Sequence, residues 1–173
     1  MEWSAGAKYE LISTTALTSG TSVTISSIPA TYKDLLLVIE GVAPNVTANL
    51  SMNFNGTQNG GIYGMGWYIN SAPTNATAQA WSNGSQGIRL YGTSVRSANG
   101  NSIFVVSVNN YADTAVYKTG TYRGWFLQGS NHGEFVAGDY GAEYSAAISS
   151  IVLFWTNGTS TFSTGSALLY GVS

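Results

Sequence analysis

The chain has 173 residues and a formal net charge of -2, with only 8% of residues charged, against about 25% in an average soluble domain. Hydrophobic residues reach 44%, which excludes disorder for want of apolar surface, and the six basic residues (Lys8, Lys33, Arg89, Arg96, Lys118, Arg123) are too scattered to displace counterions from nucleic acid. With no cysteine there is no disulfide framework or thiolate chemistry, and no apolar run approaches the roughly 18 residues of a membrane helix, so a soluble chain is expected.

The opening residues MEWSAGAK lack a basic region followed by an apolar stretch, so no signal peptide is expected. They read as an N-terminal arm over residues 1–8, ahead of a single domain over 9–173. Tyr9–Thr14 forms a first strand, and Ser22–Ser26 alternates through Val23 and Ile25. Leu35–Gly41 opens with five apolar residues in a row. Leu50, Met52 and Phe54 then alternate with Ser51 and Asn53, as a half-buried strand does. The stretch 56–86, rich in Gly, Asn, Ala and Thr, reads as a long irregular excursion. Ile88 and Leu90 alternate with Arg89 and Tyr91. Ile103–Val108 follows, then Val116–Leu127 as two strands, or as one bent at Gly120 or Gly124. Tyr140–Ser150 reads as a loop leading into the strand Ile151–Trp155, and Ala167–Val172 closes the chain.

Five Asn-Gly dipeptides, at 55–56, 59–60, 83–84, 99–100 and 157–158, supply hairpin signals between these segments. The reading is all-β: roughly eight to ten short strands in a jelly-roll-like antiparallel sandwich, with a closed barrel as the other architecture that suits them. Six matches to the N-glycosylation pattern, starting at Asn45, Asn49, Asn55, Asn75, Asn83 and Asn157, are expected by chance in a chain so rich in Asn, Ser and Thr.

Three segments, Leu35–Ile39, Ile103–Val106 and Ile151–Trp155, carry apolar residues on both faces. In the first, Leu35, Leu37 and Ile39 share one face, and Leu36 and Val38 the other. Each such side chain gains about 1.5–3 kcal/mol on burial, so a wet second face is not expected. Either the excursion 56–86 folds over it or another subunit covers it. The candidate subunit interface is Leu36, Val38, Phe104 and Val106.

The densest cluster of ionisable groups is His132, Glu134, Asp139 and Glu143. One histidine among unpatterned carboxylates matches no metal-ligand spacing, and a solvated loop is the expectation. There is no Gly-x-Ser-x-Gly elbow, no phosphate-binding glycine loop, and nothing singles out a carboxylate pair. No enzyme activity, metal or cofactor is expected. Five tryptophans are many for this length. Trp125 and Trp155 read as core. Trp67, Tyr68 and Trp81 could offer sugar-stacking platforms, or anchor loops and subunit contacts.

The run YELISTTALTSGTSVTISSIPATYKDLLLVIEG resembles the opening of a β-sandwich domain common in tailed-bacteriophage virion proteins. LSMNFNGT is similar to that family's strand ending in Phe-Asn-Gly, and ISSIVLFWTNGTSTFSTGSALLYGVS to its C-terminal pair ending in Leu-Tyr-Gly. The likeness covers both ends and leaves the middle, 57–100, unplaced. It implies a jelly-roll virion component, commonly trimeric, made in the host cytoplasm and carried on the capsid surface. Some relatives are fibre tips; others are decoration, or cement, proteins bound to the major capsid protein. A fibre needs a shaft, and eight residues ahead of Tyr9 make only an arm, so the expectation is a decoration protein. On this reading Trp3, Lys8 and Tyr9 contact the capsid. A fibre-tip or carbohydrate-binding module is the alternative, with a glycan as partner.

Overall fold

Twelve strands and no helix are formed by the described residues of this computed structural model, namely 8–56, 61–69, 77–82, 87–90, 95, 100–128 and 132–173. They are β1 (Tyr9–Ala16), β2 (Ser22–Ile25), β3 (Asp34–Pro44), β4 (Leu50–Phe54), β5 (Ile62–Ile69), β6 (Thr77–Ser82), β7 (Ile88–Arg89), β8 (Ser102–Val108), β9 (Lys118–Leu127), β10 (Gly133–Ala142), β11 (Ile151–Trp155) and β12 (Phe162–Val172). Two antiparallel sheets result: a large one in the order β1-β12-β3-β8-β9-β10-β5-β6 and a small one in the order β2-β11-β4-β7.

From β2 onward the chain steps from small sheet to large and back: β3 large, β4 small, β5 and β6 large, β7 small, β8 to β10 large, β11 small, β12 large. Strands close in sequence therefore interleave with strands far away, which is the double Greek-key path of a jelly roll. The meander β8–β9 is inserted between β3 and β10, and β12 and β1 extend the sheet beyond β3.

The strand count exceeds the roughly eight to ten expected from turn spacing. The stretch 56–86 is not a covering excursion where it is described. It supplies β5 and β6, which pair with each other and prolong the large sheet from β10. Val116–Leu127 is one strand from Lys118, its inner side filled by Gly120, Tyr122, Gly124 and Phe126. Residues 143–150 are a loop, as expected, but 133–142 form a strand hydrogen-bonded on both sides.

The Asn-Gly signal at 55–56 is real but misleading. Asn55 and Gly56 both take positive φ (52° and 68°), yet they lead from β4 in the small sheet to β5 in the large one. Asn55 instead ties β4 to the loop before β11. Its Nδ2 donates to Tyr144 Oη (2.6 Å) and Ala147 O (2.9 Å), and its Oδ1 accepts from the amides of Ser149 (2.9 Å) and Ser150 (3.0 Å).

The core lies between the sheets. Leu35, Leu37, Ile39, Phe104, Val106, Tyr122, Phe126 and Tyr140 come from the large sheet, and Leu50, Met52, Phe54, Ile151, Leu153 and Trp155 from the small. Phe104 stacks on Phe126 at 5.5 Å, and Trp155 tilts against Phe162 at 5.0 Å. Trp155 is core as expected, whereas Trp125 points out of the large sheet.

Candidate functional site

Strand pleating puts cross-strand partners on one face of a sheet. The outward residues of the large sheet therefore form rows, read directly from the register. One row is Glu40–Ile103–Trp125–Phe135–Ile69 across β3, β8, β9, β10 and β5. The next is Leu168–Val38–Val105–Arg123–Ala137–Trp67–Ala78, from β12 to β6. A third pairs Tyr170 with Leu36 and Leu36 with Ser107, and continues through Thr121, Asp139, Met65 and Ala80.

Beyond Glu40 the first row is wholly apolar. Ile103, Trp125, Phe135 and Ile69 keep 45%, 41%, 38% and 37% of their surface exposed, and together make one continuous patch. In the second row Trp67, 43% exposed, tilts against Phe135 at 5.6 Å between ring centres.

This geometry corrects half of the expected interface. Phe104 and Val106 pair with Ile39 and Leu37 on the inner face and are fully buried in the core, so no subunit reaches them. The outward side of β8 is Ile103 and Val105 instead. The chain reads IFVV here, and the alternation starts one residue out of step with what the sequence pattern suggested. Leu36 and Val38 do face outward but are half-buried among their row neighbours. Apolar side chains on the neighbouring strands, among them Ile103, Trp125 and Phe135, are more exposed.

Strand alternation also separates the candidate sugar-stacking residues. Trp67 faces outward, while Tyr68 is partly buried against the core from the inner side. Trp81 lies in β6 opposite Gly64, and its side chain falls outside the described part of the structure. Of the arm residues, Trp3 lies outside the described residues. Lys8 and Ser173 exchange backbone hydrogen bonds at 3.2 Å, and Tyr9 opens β1 opposite Val172, so both belong to the sheet edge rather than to a free arm. The Tyr9 side chain is nonetheless exposed.

The ionisable cluster is not a solvated loop. His132 precedes β10, Glu134 and Asp139 lie within it, and Glu143 follows it. An odd separation on a strand sends two side chains to opposite faces. Glu134 is accordingly buried on the inner side, and Asp139 is exposed on the outer side. These two carboxylates cannot converge on one substrate bond.

Residues from β3, β5, β8, β9 and β10 meet instead at a hollow of about 490 Å³ on the outer face. Its polar lining is Ser107, Thr121, Arg123 and Asp139, and its apolar lining includes Leu36, Val105, Ala137 and Trp67. Ser107 and Thr121 hydrogen-bond to each other through their hydroxyls at 3.1 Å. From below, Tyr122 approaches the glycines of β10 and β5: a Cβ at Gly138 would lie 2.6 Å from Tyr122 Oη and 2.8 Å from Gly66 Cα. Burial, with Asp139 as a lesser cause, raises the Tyr122 phenol well above its ordinary value. Sequence reasoning found Trp67, named Asp139 only within the ionisable cluster and missed Arg123, because no spacing along the chain connects the three. No family model, curated protein or solved structure matches this chain.

Proposed function

We propose that this chain is a structural virion protein of a tailed bacteriophage: a decoration protein that assembles as a homotrimer and stabilises the outer surface of the capsid. The observation that carries the reading is the apolar row Ile103–Trp125–Phe135–Ile69 on the open face of the large sheet. Soluble monomers rarely leave such a patch to water, and aromatic side chains uninterrupted by charge are what the centre of a subunit interface is made of. The sequence likeness to phage virion sandwiches supplies the context.

In this mechanism the rows of neighbouring copies pack about a threefold axis. The chain end with Trp3, Lys8 and Tyr9 meets the major capsid protein, and each trimer holds adjacent capsomers together. The added buried area resists genome pressure from within. No bond is made or broken, so the role needs shape and apolar surface rather than a catalytic group.

The test is the copy number of this chain in purified virions, measured against the major capsid protein by quantitative mass spectrometry. A copy number comparable to that of the capsid protein is expected. A handful of copies per particle would move the chain to a tail fibre, and absence from the particle would overturn the virion reading.

A further inference from the structure

The hollow around Trp67 has a composition that subunit packing does not require. We propose that it is a saccharide-binding site for a neutral, hydroxyl-rich ring, with Trp67 as the stacking platform and Arg123 and Asp139 as the groups that read hydroxyls. This goes beyond the decoration role and does not depend on it.

The geometry comes from register. Trp67, Ala137, Arg123 and Val105 are successive cross-strand partners on β5, β10, β9 and β8. Neighbouring strands lie about 4.8 Å apart, so Trp67 and Arg123 stand roughly 10 Å from each other. Only the methyl group of Ala137 rises between them. One row over, Thr121 and Asp139 are partners, and Ser107 bonds to Thr121. The result is a flat floor with an indole on one side, a guanidinium on the other and a carboxylate at the edge. Trp67 also lines a second, smaller hollow of about 390 Å³ toward β6, with Gln79 and Asp139 in its wall. The indole thus stands between two open spaces. The larger volume falls within the range typical of small-ligand sites.

The ligand class follows from elimination by charge. No described side chain forms an ion pair with Arg123. A purely apolar occupant would strip water from the guanidinium and the carboxylate without replacing its hydrogen bonds, which is costly. An anion would meet Asp139, and a cation would meet Arg123. A neutral polyol ring serves both: its oxygens accept from the guanidinium, its hydroxyls donate to the carboxylate, and its C–H face lies on the indole. Ser107 and Thr121 offer further hydroxyl partners at the floor.

The site is testable on the isolated full-length chain with an array of neutral and acidic oligosaccharides, followed by calorimetry with each hit. At least one neutral oligosaccharide is expected to bind. Trp67→Ala should weaken it at least tenfold, and Arg123→Gln and Asp139→Asn should each weaken it severalfold while the circular dichroism spectrum is unchanged. Leu11→Ala, exposed on β1 at the far edge of the sheet, should leave affinity as it was. Because Trp67 is exposed the variant should fold, and the two polar variants probe the same hollow if it does not. Binding to no neutral member of the array overturns the proposal, as does binding confined to acidic members. Affinity that survives all three hollow variants, or that is lost with Leu11→Ala alone, moves the site away from Trp67 and also overturns it.

Discussion

The ten residues of β9 present two unlike surfaces. On the inner side Gly120, Tyr122, Gly124 and Phe126 alternate small and large, and each glycine receives an aromatic ring from a neighbouring strand: Tyr140 at Gly120, Phe104 at Gly124. On the outer side Thr121, Arg123 and Trp125 stand in the open rows of the large sheet. The inner side is a closed fit, complete within one chain. The outer side carries the exposed indole of Trp125. Aromatic content therefore does not by itself tell the inner face from the outer one here.

The sharpest way to break this contrast is on the inner face. A Cβ at Gly120 would run into the Ser107 carbonyl oxygen and the Tyr140 hydroxyl, and backbone cannot swing aside as a side chain does. Overpacking of this kind costs about 1–3 kcal/mol and sometimes more, and a carbonyl in the way places Gly120→Ala at the upper end. For a domain of this size about 3 kcal/mol lowers the melting temperature by roughly 6–12 °C. An unchanged melting temperature in Gly120→Ala would mean that β8 and β9 do not approach as closely as the register implies.

A smaller effect on the same face concerns Tyr140, whose hydroxyl donates to Ser107 O at 2.7 Å. Losing that bond in Tyr140→Phe should cost about 1 kcal/mol at neutral pH. Burial raises the Tyr140 phenol well above its ordinary value, and that of Tyr122 likewise. Near pH 10 the unfolded chain begins to lose protons that the folded chain keeps. Stability from these groups is therefore intact below about pH 10 and falls as pH rises beyond it, by up to about 1.4 kcal/mol per pH unit for each tyrosine.

Lys118 acts with the opposite sign. Burial lowers its ammonium, with Asp113 opposing, so its contribution rises with pH until the unfolded value of about 10.5 and is flat above that. Above pH 10.5 Lys118 no longer adds to the slope, while Tyr122 and Tyr140 still do. Denaturation midpoints measured there should fall less steeply in Tyr140→Phe than in the parent chain. Equal slopes would show that the phenol ionises without unfolding.

Much of the core was legible in the sequence, because β3, β4 and β11 place leucine, isoleucine and aromatic residues at alternate positions facing inward. The strands β5 and β10, which complete the outer face, were not. In β5 the inward positions are Ile62, Gly64, Gly66 and Tyr68, and the outward ones Tyr63, Met65, Trp67 and Ile69, so the more apolar side is the exposed one. A reading by hydrophobic alternation finds no inward face there and returns a loop. In β10 a buried Glu134 and three glycines lower the strand signal. Its ladders to β9 and β5 hold it in place nonetheless. Trp67 and Asp139 come from these two strands and Arg123 from β9, which was read as strand, and only register brings them together. In each case long-range pairing decided what local pattern could not.

The smallest expected change in intrinsic stability falls on the outer face, and it carries the most information about assembly. Trp125 and Phe135 are cross-strand partners exposed by about two-fifths, and such a pair adds roughly 0.2–1 kcal/mol to a sheet. Trp125→Ser with Phe135→Ser should therefore barely move the denaturation midpoint of dilute protein. If the row is a trimer seam, association adds stability by mass action, so the melting temperature of the parent chain should climb with protein concentration. That climb should vanish in the double variant, and light scattering should show its mass falling from trimer to monomer. A double variant that stays trimeric would take the seam away from this row. A parent chain that is monomeric at every concentration would leave the outer face to the shell or to a ligand.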